Sequence, residues 1–118
     1  DREQWALPTG TVEHCETLTG AVTREVREET GLEIEVDCLT GVYSDPEEQV
    51  FTYPSGEAVH FVTSCFRCRV VDGEVRPDED EAVDVAFFDA AELPSELLAM
   101  QPRWISDALS TSDRPAVR

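Results

Sequence analysis

The hydrophobic residues between Thr17 and Gly31 recur at a helical spacing. At about 100° per residue, four apolar side chains fall on one face: Leu18, Ala21, Val22 and Val26. The hydroxyl of Thr17 can cap the first turn, and Gly31 can end the helix in the left-handed conformation. Leu32 can then fold back onto Val26, as in a Schellman motif. The pattern predicts a helix of about 13 residues, a common length in globular domains.

The rest of the chain has the alternation that is typical of strands separated by turns. Residues 33–43 alternate Ile34 and Val36 with acidic residues and predict a strand, and Asp45-Pro46 marks a turn after it. Further elements are expected in chain order: a hairpin with strands over 50–53 and 58–71, a strand over 82–88, a helix from Glu96 that Pro102 breaks, a last segment over 104–109 and a frayed tail over 110–118. The sequence contains no internal repeat and no pattern of a second domain.

Length and composition limit the class of protein. The 118 residues are enough for one compact domain with a core. The sequence has no run of 18 apolar residues and no signal-peptide pattern, so we expect a soluble, cytoplasmic protein that does not enter a membrane. The formal net charge of −17 argues against a nucleic-acid polymer as partner, because phosphate backbones are bound by basic patches. It permits a small phosphorylated ligand, since bound cations reverse the local sign.

The four cysteines could form disulfides or a metal site, and neither is favoured. They are Cys15, Cys38, Cys65 and Cys68. In a cytosolic protein we expect them to be free thiols. Zinc at Cys65 and Cys68 is disfavoured because residues i and i+3 of a strand point to opposite faces, and no second Cys/His pair lies at ligand spacing.

The acidic residues of the predicted helix lie on its apolar side. Three carboxylates share that side: Glu25, Glu28 and Glu29. The opposite, outward side carries Thr19, Thr23, Arg27 and Thr30. A solvated acidic surface would show the reverse arrangement. Carboxylates that turn toward the core need a positive partner, because isolated buried charge is very costly. Three oxygen donors within one turn suit Mg²⁺ or Mn²⁺ rather than Zn²⁺, and a surface helix with incidental acids is the alternative.

These carboxylates belong to a longer motif. Gly10 is followed after five residues by Glu16 and, after seven more, by Arg24-Glu25-Val26-x-Glu28-Glu29-x-Gly31-Leu32. The motif resembles the complete signature box of the Nudix hydrolases, with every defining position filled. The preceding Trp5-Ala6-Leu7-Pro8 is similar to the family's usual approach to the box. Two positions depart from the family, in which glycine is usual where this chain has Thr9 and frequent where it has Cys15.

The resemblance implies an α/β fold, an α/β/α sandwich with a mixed central sheet, formed by a single domain over 1–118. Because the family carries at least one strand before the box, we expect this chain to be N-terminally incomplete. The implied metal ligands are Glu25, Glu28, Glu29 and the carbonyl of Thr9. The implied catalytic residues are the same three glutamates and Glu81, with Asp80 and Glu79 as alternatives in the same acidic loop. The implied structural supports are Gly10, Glu16, Arg24 and Gly31, with Arg24 paired to Glu16.

The reaction that the resemblance implies is the hydrolysis of a phosphoanhydride bond, with Mg²⁺ or Mn²⁺, in a nucleoside diphosphate linked to another moiety. Pro46 lies 14 residues beyond Leu32, close to a proline of ADP-ribose-cleaving members, which favours ADP-ribose or a related nucleotide sugar. Damaged nucleoside triphosphates and dinucleoside polyphosphates stay open as substrates, and so does a homodimer as the assembly. Two other classes are a Nudix-fold module that binds nucleotide without turnover and an acidic cation-binding protein. Four aromatic side chains could stack on a base, but core packing is preferred for each: Trp5, Tyr43, Phe51 and Tyr53. For His60, a packed or surface position is preferred over a catalytic role.

Overall fold

The computed structural model describes residues 4–76, 85–98 and 100–118. Its elements, in chain order, are helix α1 (Leu18–Thr30), strand β1 (Leu32–Tyr43), helix α2 (Pro46–Gln49), strands β2 (Val50–Thr52), β3 (Ala58–His60) and β4 (Thr63–Gly73), helix α3 (Gln101–Ala108) and strand β5 (Ala116–Val117). None of the helices in these ranges has the length and apolar character needed to cross a bilayer. Residues 82–84 of the expected strand and the candidate acids Glu79, Asp80 and Glu81 lie outside the described residues.

The sheet that supports the site is built around β1. Its strand order is β4-β1-β5. Strand β4 runs antiparallel to β1, from the pair Leu32 and Gly73 to the pair Tyr43 and Thr63, and β5 runs parallel to β1. The mixed sheet that we expected is therefore confirmed. Helices α1 and α3 both pack against β1, and a separate two-stranded ribbon joins β2 and β3.

Helix α1 has both of the ends that the sequence predicts. Thr17 Oγ1 accepts from the Gly20 N–H over 3.0 Å, and Gly31 has a φ of 81°. The Gly31 N–H donates to the Arg27 carbonyl over 2.9 Å, which is the simpler left-handed ending rather than the Schellman motif. The expectation that Thr30 faces outward is wrong. Thr30 is buried, because its hydroxyl donates to the Val26 carbonyl and accepts from the Leu32 N–H.

The expected second strand of the hairpin is divided into β3 and β4. The chain leaves the ribbon after His60, where the Phe61 N–H donates to the Gln49 carbonyl over 2.8 Å. The Gln49 amide then donates to Thr63 Oγ1 over 2.7 Å, at the start of β4. The expected turn before the hairpin is the short helix α2, in which Asp45 caps the Glu47 N–H and a proline occupies the first turn.

The C-terminal region differs most from the expectation. Glu96 does not begin a helix; residues 96–98 run beside Trp5, whose N–H donates to the Glu96 carbonyl over 2.6 Å. Residues 85–88 form no strand. Pro102 stands in the first turn of α3 rather than ending a helix, since that position leaves no hydrogen bond unmade. The tail that we expected to be frayed ends in β5, because the Arg118 N–H donates to the Val42 carbonyl over 2.9 Å.

The core lies where α1 and α3 meet β1. Its buried apolar side chains are Ala21, Leu32, Ile34, Tyr43 and Trp104. The rings of Tyr43 and Trp104 lie 5.6 Å apart, and the Tyr43 hydroxyl donates to Asp107 Oδ2 over 2.6 Å. Arg118 binds both oxygens of Asp107, each over 2.9 Å. Burial is the main cause that raises the pKa of Tyr43, whereas hydrogen bonds from Arg118 lower the pKa of Asp107 to about 2.

The thiols of the chain are all free. Cys15 and Cys38 are exposed, whereas Cys65 and Cys68 are partly buried in β4. Burial raises the pKa of Cys65 to about 11 and also raises the pKa of Cys68. Both thiols of β4 are therefore protonated near neutral pH, which makes them poor nucleophiles.

Candidate active site

Arg24 joins the loop before α1 to the helix itself. Its side chain is only 15% exposed. The guanidinium holds both oxygens of Glu16, with Nε to Oε2 over 2.6 Å and Nη2 to Oε1 over 3.0 Å. Its Nη2 also donates to the Thr11 carbonyl over 3.1 Å. The pair expected between Arg24 and Glu16 therefore forms, and its two parallel bonds fix the orientation of both side chains.

The charges of this pair stabilise each other. Hydrogen bonds from Arg24 lower the pKa of Glu16 from its ordinary value of 4.5 to about 2. The bonds to Glu16 and Glu25 in turn raise the pKa of Arg24 above its ordinary value. The Glu16 carboxylate also accepts from the Glu13 N–H over 2.9 Å. Glu16 therefore stays anionic at any physiological pH and keeps the loop closed on the helix.

The third nitrogen of Arg24 brings two of the predicted metal ligands together. Nη1 donates to Glu25 Oε1 over 2.7 Å and lies 3.3 Å from Glu28 Oε1. The Glu25 side chain is 20% exposed and the Glu28 side chain 58%. Two carboxylates of α1 thus share one cationic nitrogen. The inward position expected of the acids holds for Glu25 but is wrong for Glu28, which faces solvent.

Gly10 lies directly against the Glu25 carboxylate. A Cβ built on Gly10 would overlap the carboxyl carbon and both oxygens of Glu25. The φ of Gly10 is not positive, so glycine is needed here for the close approach of Glu25 and not for its backbone conformation. Position 15 differs, because its backbone conformation is the unusual feature. Cys15 has a φ of 69°, which side-chain-bearing residues rarely adopt. The backbone at 15 therefore has the conformation that a glycine would favour.

The other predicted residues have different outcomes. Glu29 is half-buried on α1, Thr9 is exposed in the loop, and Gly31 ends the helix. His60 Nε2 lies 2.6 Å from the Ser44 carbonyl, which must accept, so the exposed ring links the ribbon to the turn after β1. Glu81 and its alternatives Asp80 and Glu79 lie outside the described residues. Sequence reasoning missed Glu13 and the Thr11 carbonyl, for which the spacing of residue types offers no signal.

The donor set fits a hard divalent cation in its chemistry. All donors are oxygens, which Mg²⁺ and Mn²⁺ prefer, and Glu25 and Glu28 already reach one positive centre. In the ranges that the structure describes, however, no three Asp, Glu, His or Cys side chains gather around a common point. The three glutamates of α1 are thus not arranged as a complete ligand set here, and Arg24 Nη1 is the cation that two of them share.

Comparison with known proteins adds the family. A family model described as NUDIX domain matches residues 1–109. A protein of Methanocaldococcus jannaschii named ADP-ribose pyrophosphatase is 42% identical over 90 residues, which cover 76% of this chain and 48% of that protein. A MutT-like protein of Streptomyces ambofaciens is 33% identical over 109 residues, 92% of this chain and 63% of that one. The chain spans about half of the first relative and less than two thirds of the second.

Solved structures agree on the fold. The crystal structure of a UDP-X diphosphatase superposes with a TM-score of 0.73 at 24% sequence identity. The superposition covers 98% of this chain and 56% of that one. At this level of identity the likeness concerns the architecture, and it matches the mixed α/β arrangement described above.

Proposed function

The chain belongs to the Nudix family, and from that premise we propose that it hydrolyses a phosphoanhydride bond in a nucleoside diphosphate linked to another group. The observation that carries the proposal is the arrangement around Arg24. Glu25 and Glu28 reach one cationic nitrogen, and Gly10 lies against the first of them. A loop and a helix of this chain therefore meet at a point rich in oxygen donors, which suits a cation and the diphosphate that it would bind.

Four groups would hold the ion: the carboxylates of Glu25, Glu28 and Glu29 and the carbonyl of Thr9. When bound, Mg²⁺ or Mn²⁺ supplies charge for the diphosphate oxygens and lowers the pKa of a water molecule. The residues of the chain do the rest. The Arg24–Glu16 pair holds the helix against the loop, so that the carboxylates are fixed before substrate arrives.

A glutamate takes up the proton of the attacking water. We assign this role to the set Glu25, Glu28 and Glu29, with Glu81 as a further candidate. Covalent catalysis is not needed, since water is the nucleophile in this reaction. The thiols of β4 are also unsuited to it because their pKa values are raised.

We propose ADP-ribose or a related nucleotide sugar as the substrate. Two observations support this choice. Pro46 occupies the first turn of α2, 14 residues beyond the box, and the archaeal relative at 42% identity bears the name ADP-ribose pyrophosphatase. Oxidised nucleoside triphosphates are the alternative substrates, and a panel that contains both classes separates them.

The test is hydrolysis of a nucleotide panel with and without Mg²⁺, by wild type and by Glu29→Gln. We expect metal-dependent cleavage that falls by a factor on the order of 10² or more in the variant, since general bases contribute about that much. Glu57→Gln is the matched control, because Glu57 is an exposed acid of the β2–β3 ribbon. Glu29→Gln with wild-type turnover would overturn the assignment.

A nucleotide-binding module without turnover is the second candidate, and one observation favours it. Arg24 Nη1 engages both Glu25 and Glu28, so a metal ion would have to draw these carboxylates away from it. Such a module would show a nucleotide-dependent rise in Tm and no Mg²⁺-dependent product. Detection of product at any member of the panel excludes it.

A further inference from the structure

The segment that leads into the box loop is held by α3. The Leu7 N–H donates to Gln101 Oε1 over 2.7 Å, between residues 94 positions apart. Just upstream, Trp5 pairs with residues 96–98. Gln101 is only 2% exposed, so its side chain is fixed by close packing on all sides. A buried amide of the C-terminal helix thus anchors the start of the loop.

Pro8 makes this anchor stiff. Proline has a fixed φ, and it restricts the preceding residue, Leu7, to extended conformations. The orientation imposed on Leu7 therefore carries over to Thr9 and Gly10. The next anchor is the Thr11 carbonyl, which accepts from Arg24 Nη2. Among the described residues, no hydrogen bond holds residues 8–10 between these two anchors.

Gly10 lies in this stretch between the two anchors and contacts Glu25. A displacement of the loop therefore changes the space available to the Glu25 carboxylate. We propose that Gln101 is a positioning residue, which through Leu7 and Pro8 sets where the Thr9 carbonyl and Gly10 lie against Glu25. Its importance for catalysis rests on the proposed function, whereas its geometric effect concerns this chain alone.

Two variants remove the anchoring bond from opposite sides. Gln101→Met keeps the length and burial of the side chain but has no acceptor oxygen, and Leu7→Pro removes the donor without opening the core. Gln101→Glu keeps an acceptor oxygen for the Leu7 N–H and should therefore preserve the anchor. The matched control is Gln49→Met, because Gln49 is also 2% exposed and its amide holds the start of β4 rather than the box loop.

The readouts are the NMR amide resonance of Gly10 and the Kd for Mn²⁺ measured by electron paramagnetic resonance. We expect Gln101→Met and Leu7→Pro to shift the Gly10 resonance and to weaken Mn²⁺ binding by a factor on the order of ten, as for other residues that orient ligands indirectly. In Gln101→Glu, the Gly10 resonance and the Kd for Mn²⁺ should stay close to their wild-type values. Gln49→Met should lower stability and leave both unchanged.

An unchanged Gly10 resonance in Gln101→Met and Leu7→Pro would overturn the positioning role, and so would an equal response in Gln49→Met. The two proposals fail separately. A shifted Gly10 resonance in a protein that cleaves no nucleotide refutes the proposed function and supports the positioning. If the wild type hydrolyses nucleotide but the Gly10 resonance is unchanged in Gln101→Met and Leu7→Pro, only the positioning role is refuted.

Discussion

Replacing Gly10 by alanine should abolish most turnover while hardly changing stability. The added Cβ would lie well inside the 3.4 Å at which ordinary contact with the Glu25 carboxyl carbon begins. The group that must yield is the far end of a flexible side chain, so the fold itself is not strained. Because the φ of Gly10 is not positive, alanine adds no backbone strain there.

The cost should appear in catalysis instead. The Glu25 carboxylate would move by on the order of 1 Å, and a misplacement of that size can lower kcat about 10²-fold. The free energy of unfolding should change by less than about 1 kcal/mol, since Glu25 keeps access to solvent and only its bond to Arg24 is disturbed. The assay is steady-state hydrolysis, combined with urea unfolding of the same preparation.

Gly56→Ala is the control with the opposite expectation. Gly56 has a φ of 93° and no atom within 4 Å of a Cβ built there. Alanine at 56 is therefore strained by about 1–2 kcal/mol but meets no functional group, so kcat should stay at the wild-type value. If Gly10→Ala keeps wild-type kcat, or loses stability as Gly56→Ala does, the coupling between this loop and Glu25 is refuted.

Two further predictions concern stability. Cys15→Gly should raise the free energy of unfolding by about 1 kcal/mol, because glycine relieves the backbone strain at a φ of 69°. Urea unfolding measures this change. The control Cys15→Ser keeps the strain and should leave the free energy of unfolding unchanged. Asp107 has a pKa lowered from 3.8 to about 2 by Arg118, so it binds its proton less readily in the folded state than in the unfolded chain. Its contribution is present above about pH 4 and lost as the pH falls toward 2. The free energy of unfolding of Asp107→Asn should therefore fall less steeply with falling pH than that of the wild type across that window. Glu16 titrates in both proteins, so its effect cancels in the comparison. Equal slopes for the two proteins would contradict the argument.

The features that were predictable from the sequence are those determined locally. Both ends of α1 follow from residues next to them, Thr17 and Gly31, whose preferences act within one turn. Strand β1 follows from its alternation. Thr30 was misplaced because a helical projection ignores the last turn, where the hydroxyl finds backbone partners of its own.

The features that could not be predicted depend on distant partners. The division between β3 and β4 is imposed by the carbonyl of Gln49. Pro102 is compatible with ending a helix or with starting one, and only the packing of α3 decides between them. The motif predicted the Arg24–Glu16 pair, but the buried acceptor of Gln101 has no signal in the sequence.

The pairing of β5 with β1 has a consequence for the order of folding. Strands β1 and β4 are brought together by closing a loop of moderate length, whereas β5 must return across most of the chain to reach Val42. Loop-closure entropy delays contacts of such long range. We therefore expect the pairing of β5 with Val42 to form late in folding, so that weakening it would speed unfolding more than it slows folding.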